Sequence, residues 1–178
     1  MTYKEIANVM GALAQHTFTE AIVSVFADKF AVIPTGTASI LDTVNQIDSV
    51  EVGGSTNAWL CLYWLNQKGI KVDRILLFSD MQCYSTYFNW LGYYRGRGQS
   101  LIEQFTAYKR TINPNVKLYS FDLTGYGTVQ FPQNDPNVVL LAGWSDRVLE
   151  FIHKYENFGT QLVSEIENYS PTKKEEKE

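Results

Sequence analysis

The chain has 178 residues, enough for one full hydrophobic core and short for two, so one domain is the expectation. Its net charge of -4 excludes a protein that wraps nucleic acid by charge alone, because backbone binding needs a basic stripe. Its two cysteines, Cys61 and Cys83, have no Cys-x-x-Cys spacing and so build neither a disulfide framework nor a structural zinc site. The most apolar run, residues 58–65, is far below the roughly 18 residues of a membrane span, and the chain reads as cytoplasmic with no membrane contact.

Thr2 caps a first helix, with Glu5 reaching back to the cap and Ile6, Val9, Met10 and Leu13 on one apolar face. Residues 20–28 (EAIVSVFAD) and 29–33 are rich in β-branched and apolar residues and read as two neighbouring strands or one bent strand, broken by Pro34 and Gly36. Ser39 opens a second helix, in which Ile40, Leu41, Val44 and Ile47 have helical spacing, and which stops before Gly53-Gly54. Residues 58–66 are apolar on every side, which predicts a helix packed deeply on a sheet, with Cys61 a buried thiol, and Gly69 ends it. The run RILLFS at residues 74–79 has the continuous apolar character of a parallel strand covered on both faces.

Residues 99–111 form the next predicted helix, with Leu101, Ile102, Phe105 and Tyr108 inward; residues 116–123 and 138–142 are further strands. Asp146 caps a long last helix with Leu149, Ile152, Phe158 and Leu162 as its apolar positions. The expected domain covers residues 1–169, and 170–178, ending PTKKEEKE, form a charged tail expected to be disordered. Strands separated by helices indicate parallel crossovers, so the predicted fold is α/β, a Rossmann-like, doubly wound, mostly parallel open sheet with helices on both faces. Ligands in such sheets sit beyond the carboxyl ends of the strands, where the loops carrying Thr56 and Asp80 lie.

Gly53-Gly54-Ser55-Thr56-Asn57 before an apolar helix, followed by Ile75-Leu76-Leu77-Phe78-Ser79-Asp80, is similar to the second and third metal-site motifs of von Willebrand factor A-type domains. With residues 25–34 (VFADKFAVIP) and the strand at 117–123, the pattern resembles the C-terminal domain of Ro, or TROVE-containing, ribonucleoproteins over residues 2–155. The resemblance implies a metal-ion-dependent adhesion site for Mg²⁺ or Mn²⁺, built in that family from an Asp-x-Ser-x-Ser motif after the first strand, a Thr and an Asp. It places Thr56 and Asp80 as the second and third elements, with Ser55 and Asn57 beside them as partner contacts. No Asp-x-Ser-x-Ser occurs in the sequence, so the first central strand of the family's sheet is expected to be missing from the chain. One hydroxyl and one carboxylate bind a divalent cation weakly, so little affinity is expected of this chain alone.

A bare gap in a sheet would leave about five backbone groups unmet at roughly 1 to 3 kcal/mol each, which approaches the stability of a whole domain. Another polypeptide fills it, the flanking strands close up, or two copies exchange a segment. A separately encoded N-terminal half supplying the strand, a split protein, is the favoured expectation. The RNA-binding helical repeat domain of Ro proteins has no counterpart here, so RNA is expected only indirectly or through the insertion that follows Asp80. That insertion, YSTYFNWLGYYRGRG at residues 84–98, sets Tyr84, Tyr87, Trp90, Tyr93 and Tyr94 beside Arg95 and Arg97. Such a mixture stacks on unpaired bases, grips phosphate or anchors a protein interface. The alternative is a short helix packed on the sheet edge, leaving only the two arginines exposed.

Gly125-Tyr126-Gly127 lacks a third glycine opening a helix and reads as a turn, and no P-loop occurs. His16 and His153 are not placed near a nucleophile with an orienting acid, so no enzyme is expected. The expected function is a non-enzymatic A-type binding module for a protein or ribonucleoprotein. The alternative is a structural or assembly component, such as one of a virion, with a decayed metal site.

Overall fold

The computed structural model describes residues 2–34, 36, 39–80, 100–125, 131, 135–145 and 147–167, with 158–167 described by backbone alone. The chain divides into two compact units, Met1–Trp144 and Ser145–Glu178.

Helix α1 (Tyr3–Thr17) starts at the expected capping box: the Thr2 hydroxyl accepts the Glu5 N–H at 3.2 Å, and the Thr2 N–H donates to Glu5 Oε2 at 2.6 Å. It leads into an antiparallel hairpin of β1 (Ser24–Phe26) and β2 (Phe30–Val32), in register Ser24↔Val32 and Phe26↔Phe30. Ala12, Val23, Ile33 and Ile47 form the core between α1, the hairpin and helix α2 (Ile40–Asp48). The expected apolar face of α2 is narrower than its spacing implied, since Ile47 is buried while Leu41 is 74% exposed.

Helix α3 (Trp59–Lys68) ends at Gly69, whose φ of 63° is the left-handed cap conformation that glycine adopts without a Cβ penalty. It buries Ala58 at its start, then Leu62 and Leu65, and leaves Tyr63 exposed, so it lies on the sheet by one face only. Strand β3 (Arg74–Ser79), helix α4 (Leu101–Thr111), strand β4 (Lys117–Asp122) and strand β5 (Val138–Ala142) follow. In α4, Phe105 and Tyr108 point inward as expected, whereas Ile102 turns outward at 44% exposure.

Strands β3, β4 and β5 form a parallel sheet with β4 in the middle, Leu77 opposite Ser120 and Ser120 opposite Leu140. Helices α3 and α4 cover one of its faces through a core of Leu62, Leu65, Leu77, Phe105, Tyr108 and Leu118. The α/β, Rossmann-like class is therefore observed, but the described strands fall into two sheets, not one. Residues 118–122 of β4 are buried throughout, while in β3 only Leu77 and Ser79 are. Among the described residues, the interior strand expected at 74–79 is paired on one edge, with β4.

In the second unit, helix α5 (Val148–Glu167) carries a Lys154–Glu150 ion pair at 2.8 Å with i,i+4 spacing and a stacked Phe151–Tyr155 pair with centroids 5.8 Å apart.

Candidate functional site

The loop at residues 53–57 is built against the turn that ends β1. Gly54 N–H donates to Asp28 Oδ2 at 3.1 Å, and the Lys29 N–H donates to Val52 O at 2.9 Å. The Ser55 hydroxyl, the Gly54 N–H and the Ser55 N–H hold the Asp28 carboxyl below its ordinary range. Asn57 Nδ2 bonds both Ala27 O and Ser55 Oγ at 2.9 Å. Gly53 has φ +99°, and a Cβ there would meet the Asp28 carboxylate, 2.7 Å from its Cγ. The residue that organises the loop is therefore Asp28, which the sequence reading did not single out. Its signal was an acid directly after a strand with a Gly-Gly-Ser segment downstream. Thr56 is not the cap of α3; the N-cap is Ala58, which makes no side-chain cap bond.

The Asp80 loop is braced from the next strand. Asp122, buried at the end of β4, accepts the Thr124 and Gly125 N–H groups at 3.1 and 2.9 Å. The Thr124 hydroxyl lies 2.8 Å from Asp122 Oδ1 and 3.2 Å from Asp80 O, and the Ser79 hydroxyl reaches Asp80 Oδ1 at 3.5 Å. Gly125 has φ +73°, and the rest of the turn expected there, Tyr126 and Gly127, lies outside the described residues.

Thr56 and Asp80 line one cleft of about 630 Å³, together with Ser55 and both flanking strands. The cleft separates β1 from β3. Lys117 N–H donates to Asp73 O and Leu123 N–H to Ser79 O, both at 3.0 Å, so odd-numbered residues of β3 bond β4 and Leu76 and Phe78 turn their N–H and C=O the other way. On β1, Ile33 N–H donates to Val23 O at 2.9 Å and Ala27 N–H to Lys29 O at 2.8 Å, so Ser24 and Phe26 turn theirs away from β2. Among the described residues no strand pairs with either of these edges.

Both strands run the same way. The Arg74 guanidinium at the start of β3 lies 5.7 Å from the Phe18 ring, and the chain passes from Phe18 to the start of β1 within a few residues. Their carboxyl ends consequently share the edge that holds Thr56 and Asp80. One wall of the cleft is α1, through Ala7, Gly11 and Ala14; the other is α3, through Cys61, Trp64 and Leu65. Cys61 is half-buried with its sulfur 4.0 Å from Ser24 Oγ, not fully enclosed as expected, because it faces the cleft.

Among the described residues no group of three His, Cys, Asp or Glu side chains could hold a metal ion. Thr56 and Asp80 offer one hydroxyl and one carboxylate, short of the six oxygens that Mg²⁺ takes, so the described residues do not by themselves complete a cation site. His16 Nε2 is 3.4 Å from Thr43 Oγ1 and does not line the cleft, and in the second unit His153 contacts Asn157. Tyr84, Tyr87, Trp90, Tyr93, Tyr94, Arg95, Arg97 and Cys83 lie outside the described residues. No helix among the described residues is long and apolar enough to cross a membrane.

No family model matches the sequence, and no curated protein matches it. Among solved structures, the Ro (RSR) protein of Deinococcus radiodurans is similar, with a TM-score of 0.67 and 16% identity over 86% of this chain and 29% of that one. The chain spans less than a third of that protein's length. What the two share, at this identity, is an α/β fold.

Proposed function

We propose that the chain is a non-enzymatic binding module of the von Willebrand A type found in Ro proteins. It engages a protein or ribonucleoprotein partner in the cytoplasm at the edge where β1 and β3 end. The observation that carries this reading is the convergence of Thr56 and Asp80, from separate loops each braced by its own buried or hydrogen-bonded network, on one cleft at that edge. In this reading the adhesion site is incomplete in this chain and a partner chain adds the remaining oxygens. Thr56 and Asp80 would hold the Mg²⁺ or Mn²⁺, and the bound ion would supply a bridge to an acidic group of the partner. Ser55 and Asn57, fixed on the same loop, are the adjoining partner contacts, and the aromatic and arginine residues from Tyr84 to Arg97 extend the surface to protein or to unpaired bases.

The test is Mn²⁺-induced broadening of ¹⁵N-labelled protein. Resonances of Thr56 and Asp80 are expected to broaden before those near exposed carboxylates elsewhere, such as Asp42 and Glu150, and Asp80→Asn is expected to remove that preference. Broadening spread evenly over all carboxylates would overturn the reading. It would favour the structural-component alternative, for which the contacts of Asp80 with Ser79 and Thr124 are the supporting observation.

A further inference from the structure

We infer that the outer edge of β5 pairs with the same edge of a second copy of this chain, antiparallel about a twofold axis at Leu140, so that two three-stranded sheets become one of six strands. The inference stands apart from the cleft and from the binding-module reading.

The hydrogen bonds of the sheet show which groups the edge offers. Leu118 N–H donates to Asn137 O and Gly143 N–H to Asp122 O, both at 2.8 Å, so the odd-numbered residues of β5 bond β4. Val138, Leu140 and Ala142 turn their backbone groups the other way, and among the described residues no strand pairs with that side. The outer edge of β2 differs. It is three residues long and stands between Lys29 and Pro34, a charge and a residue without an N–H, which both discourage the addition of a strand. Val138–Ala142 carries neither: it is five apolar residues, about 17 Å of strand, four of them half-buried. The edge is also held ready. Lys109 Nζ and the Asn137 N–H bond the Asp135 carboxylate ahead of it, Asn137 Nδ2 bonds Pro114 O at 3.1 Å, and Gly143 is fixed to Asp122 behind it. Little ordering is left to be lost when the edge pairs.

The edge is complementary to itself. With the axis at Leu140 all five residues pair, Val138 against the partner's Ala142, Val139 against the partner's Leu141 and Leu140 against the partner's Leu140. Every outward-facing residue then meets an outward-facing one, as an antiparallel ladder requires. Leu140 N–H donates to the partner's Leu140 C=O and Ala142 N–H to the partner's Val138 C=O, each in both directions. Val138 N–H is taken within its own chain by Asp135 O at 3.0 Å, so the pairing does not call on it. The side-chain pairs are apolar on both faces, whereas a strand bearing charges would set them against half-buried valine and leucine. Trp144, 55% exposed and two residues beyond the strand, stands level with the partner's Pro136, exposed and two residues ahead of it. A twofold contact closes on itself, so assembly ends at two copies. Its short length puts it at the small end of interfaces, with a dissociation constant of roughly 10 µM to 1 mM.

The experiment follows the full chain, ¹⁵N-labelled, from about 10 µM to about 1 mM by sedimentation velocity and by amide hydrogen exchange. The sedimentation coefficient is expected to move from monomer toward dimer. Over the same range exchange at Leu140 and Ala142 is expected to slow by about threefold or more, while Phe30 and Val32 on the outer edge of β2 stay unchanged. Ala142→Lys adds a charge at an exposed edge position, and is expected to abolish both effects while leaving the melting temperature near that of the wild type. Four results overturn the inference: a monomer at every concentration; a dimer in which Leu140 and Ala142 exchange as fast as in the monomer, which places the contact elsewhere; protection of both amides that is complete at the lowest concentration and independent of it, which means that the same chain covers the edge; or a folded Ala142→Lys variant that dimerises like the wild type. Should that variant not fold, the wild-type exchange series decides alone.

Discussion

Replacing Tyr108 with Phe tests how the edge of the cleft is held. Tyr108 has no exposed surface, and its hydroxyl donates to Ile70 O and accepts the Val72 N–H, both at 2.8 Å. These two residues carry the chain from α3 into β3, so one phenol clamps the connection that aims the open strand edge. Phenylalanine keeps the ring and its packing but leaves a carbonyl and an N–H without that partner. Each orphaned group costs about 1 to 3 kcal/mol when sealed from water, and because Ile70 and Val72 are only half-buried the sum is taken near the low end, about 2 to 3 kcal/mol. For a chain of this length that corresponds to a fall of about 4 to 12 °C in Tm. Urea denaturation monitored by circular dichroism gives the number directly, and a loss below about 0.5 kcal/mol would refute the clamp. There is also a pH signature. Burial, aided by the charge of Asp73, raises the Tyr108 hydroxyl above its ordinary pKa, against the lowering effect of the Val72 N–H bond. A raised folded-state pKa contributes stability that is complete below the unfolded value near 10 and is lost as pH rises through the folded one. The wild-type and Tyr108→Phe stability curves are therefore expected to approach each other in alkali.

The loop carrying Thr56 makes two further predictions. Gly53→Ala forces a side chain onto a backbone at φ +99° facing the Asp28 carboxylate, for a loss of about 1 to 3 kcal/mol in chemical denaturation with the core helices intact. In an NMR titration the Gly54 amide should report a midpoint below the ordinary carboxylate range, and Ser55→Ala should move it upward, because the Ser55 hydroxyl is the main cause of the lowered Asp28 pKa. Away from the cleft, Lys109 Nζ and Asp135 Oδ2 pair at 2.7 Å with side chains 24% and 20% exposed, so Asp135→Ala should cost about 1 to 2 kcal/mol after discounting for solvent. Burial pushes the Asp135 carboxyl up, but the hydrogen bond and charge of Lys109 and the Asn137 N–H outweigh it and leave the pKa lowered. The advantage of the wild type over this variant is thus present above the ordinary carboxylate range and disappears as pH falls through the lowered value.

Much of the fold is legible in local chemistry. Thr2 with Glu5, Ser39 with Asp42 and Ser100 with Glu103 close capping boxes that need only four consecutive residues, and Gly69 stops α3 by its own backbone freedom. The six-residue segments at 74–79 and 117–122, too short for a typical helix and followed by turn residues, are legible as strands, and they pair in parallel. Thr56, in the loop between α2 and α3, and Asp80, directly after β3, stand out in sequence, and both line one cleft.

Other features are decided only when distant segments meet. That Leu41 and Ile102 point outward while their helical neighbours point inward depends on where each helix axis lies, which periodicity alone does not fix. That Asp28 organises the loop at 53–57 depends on a contact across 26 positions. The largest such decision is the arrangement of strand edges. An apolar run states that a strand is covered on its faces, but its hydrogen bonds lie in the plane of the sheet, and whether each edge has a neighbour is a property of the whole chain's path. The sequence by itself determined the strands; only the tertiary structure left β1 and β3 facing each other across an open cleft.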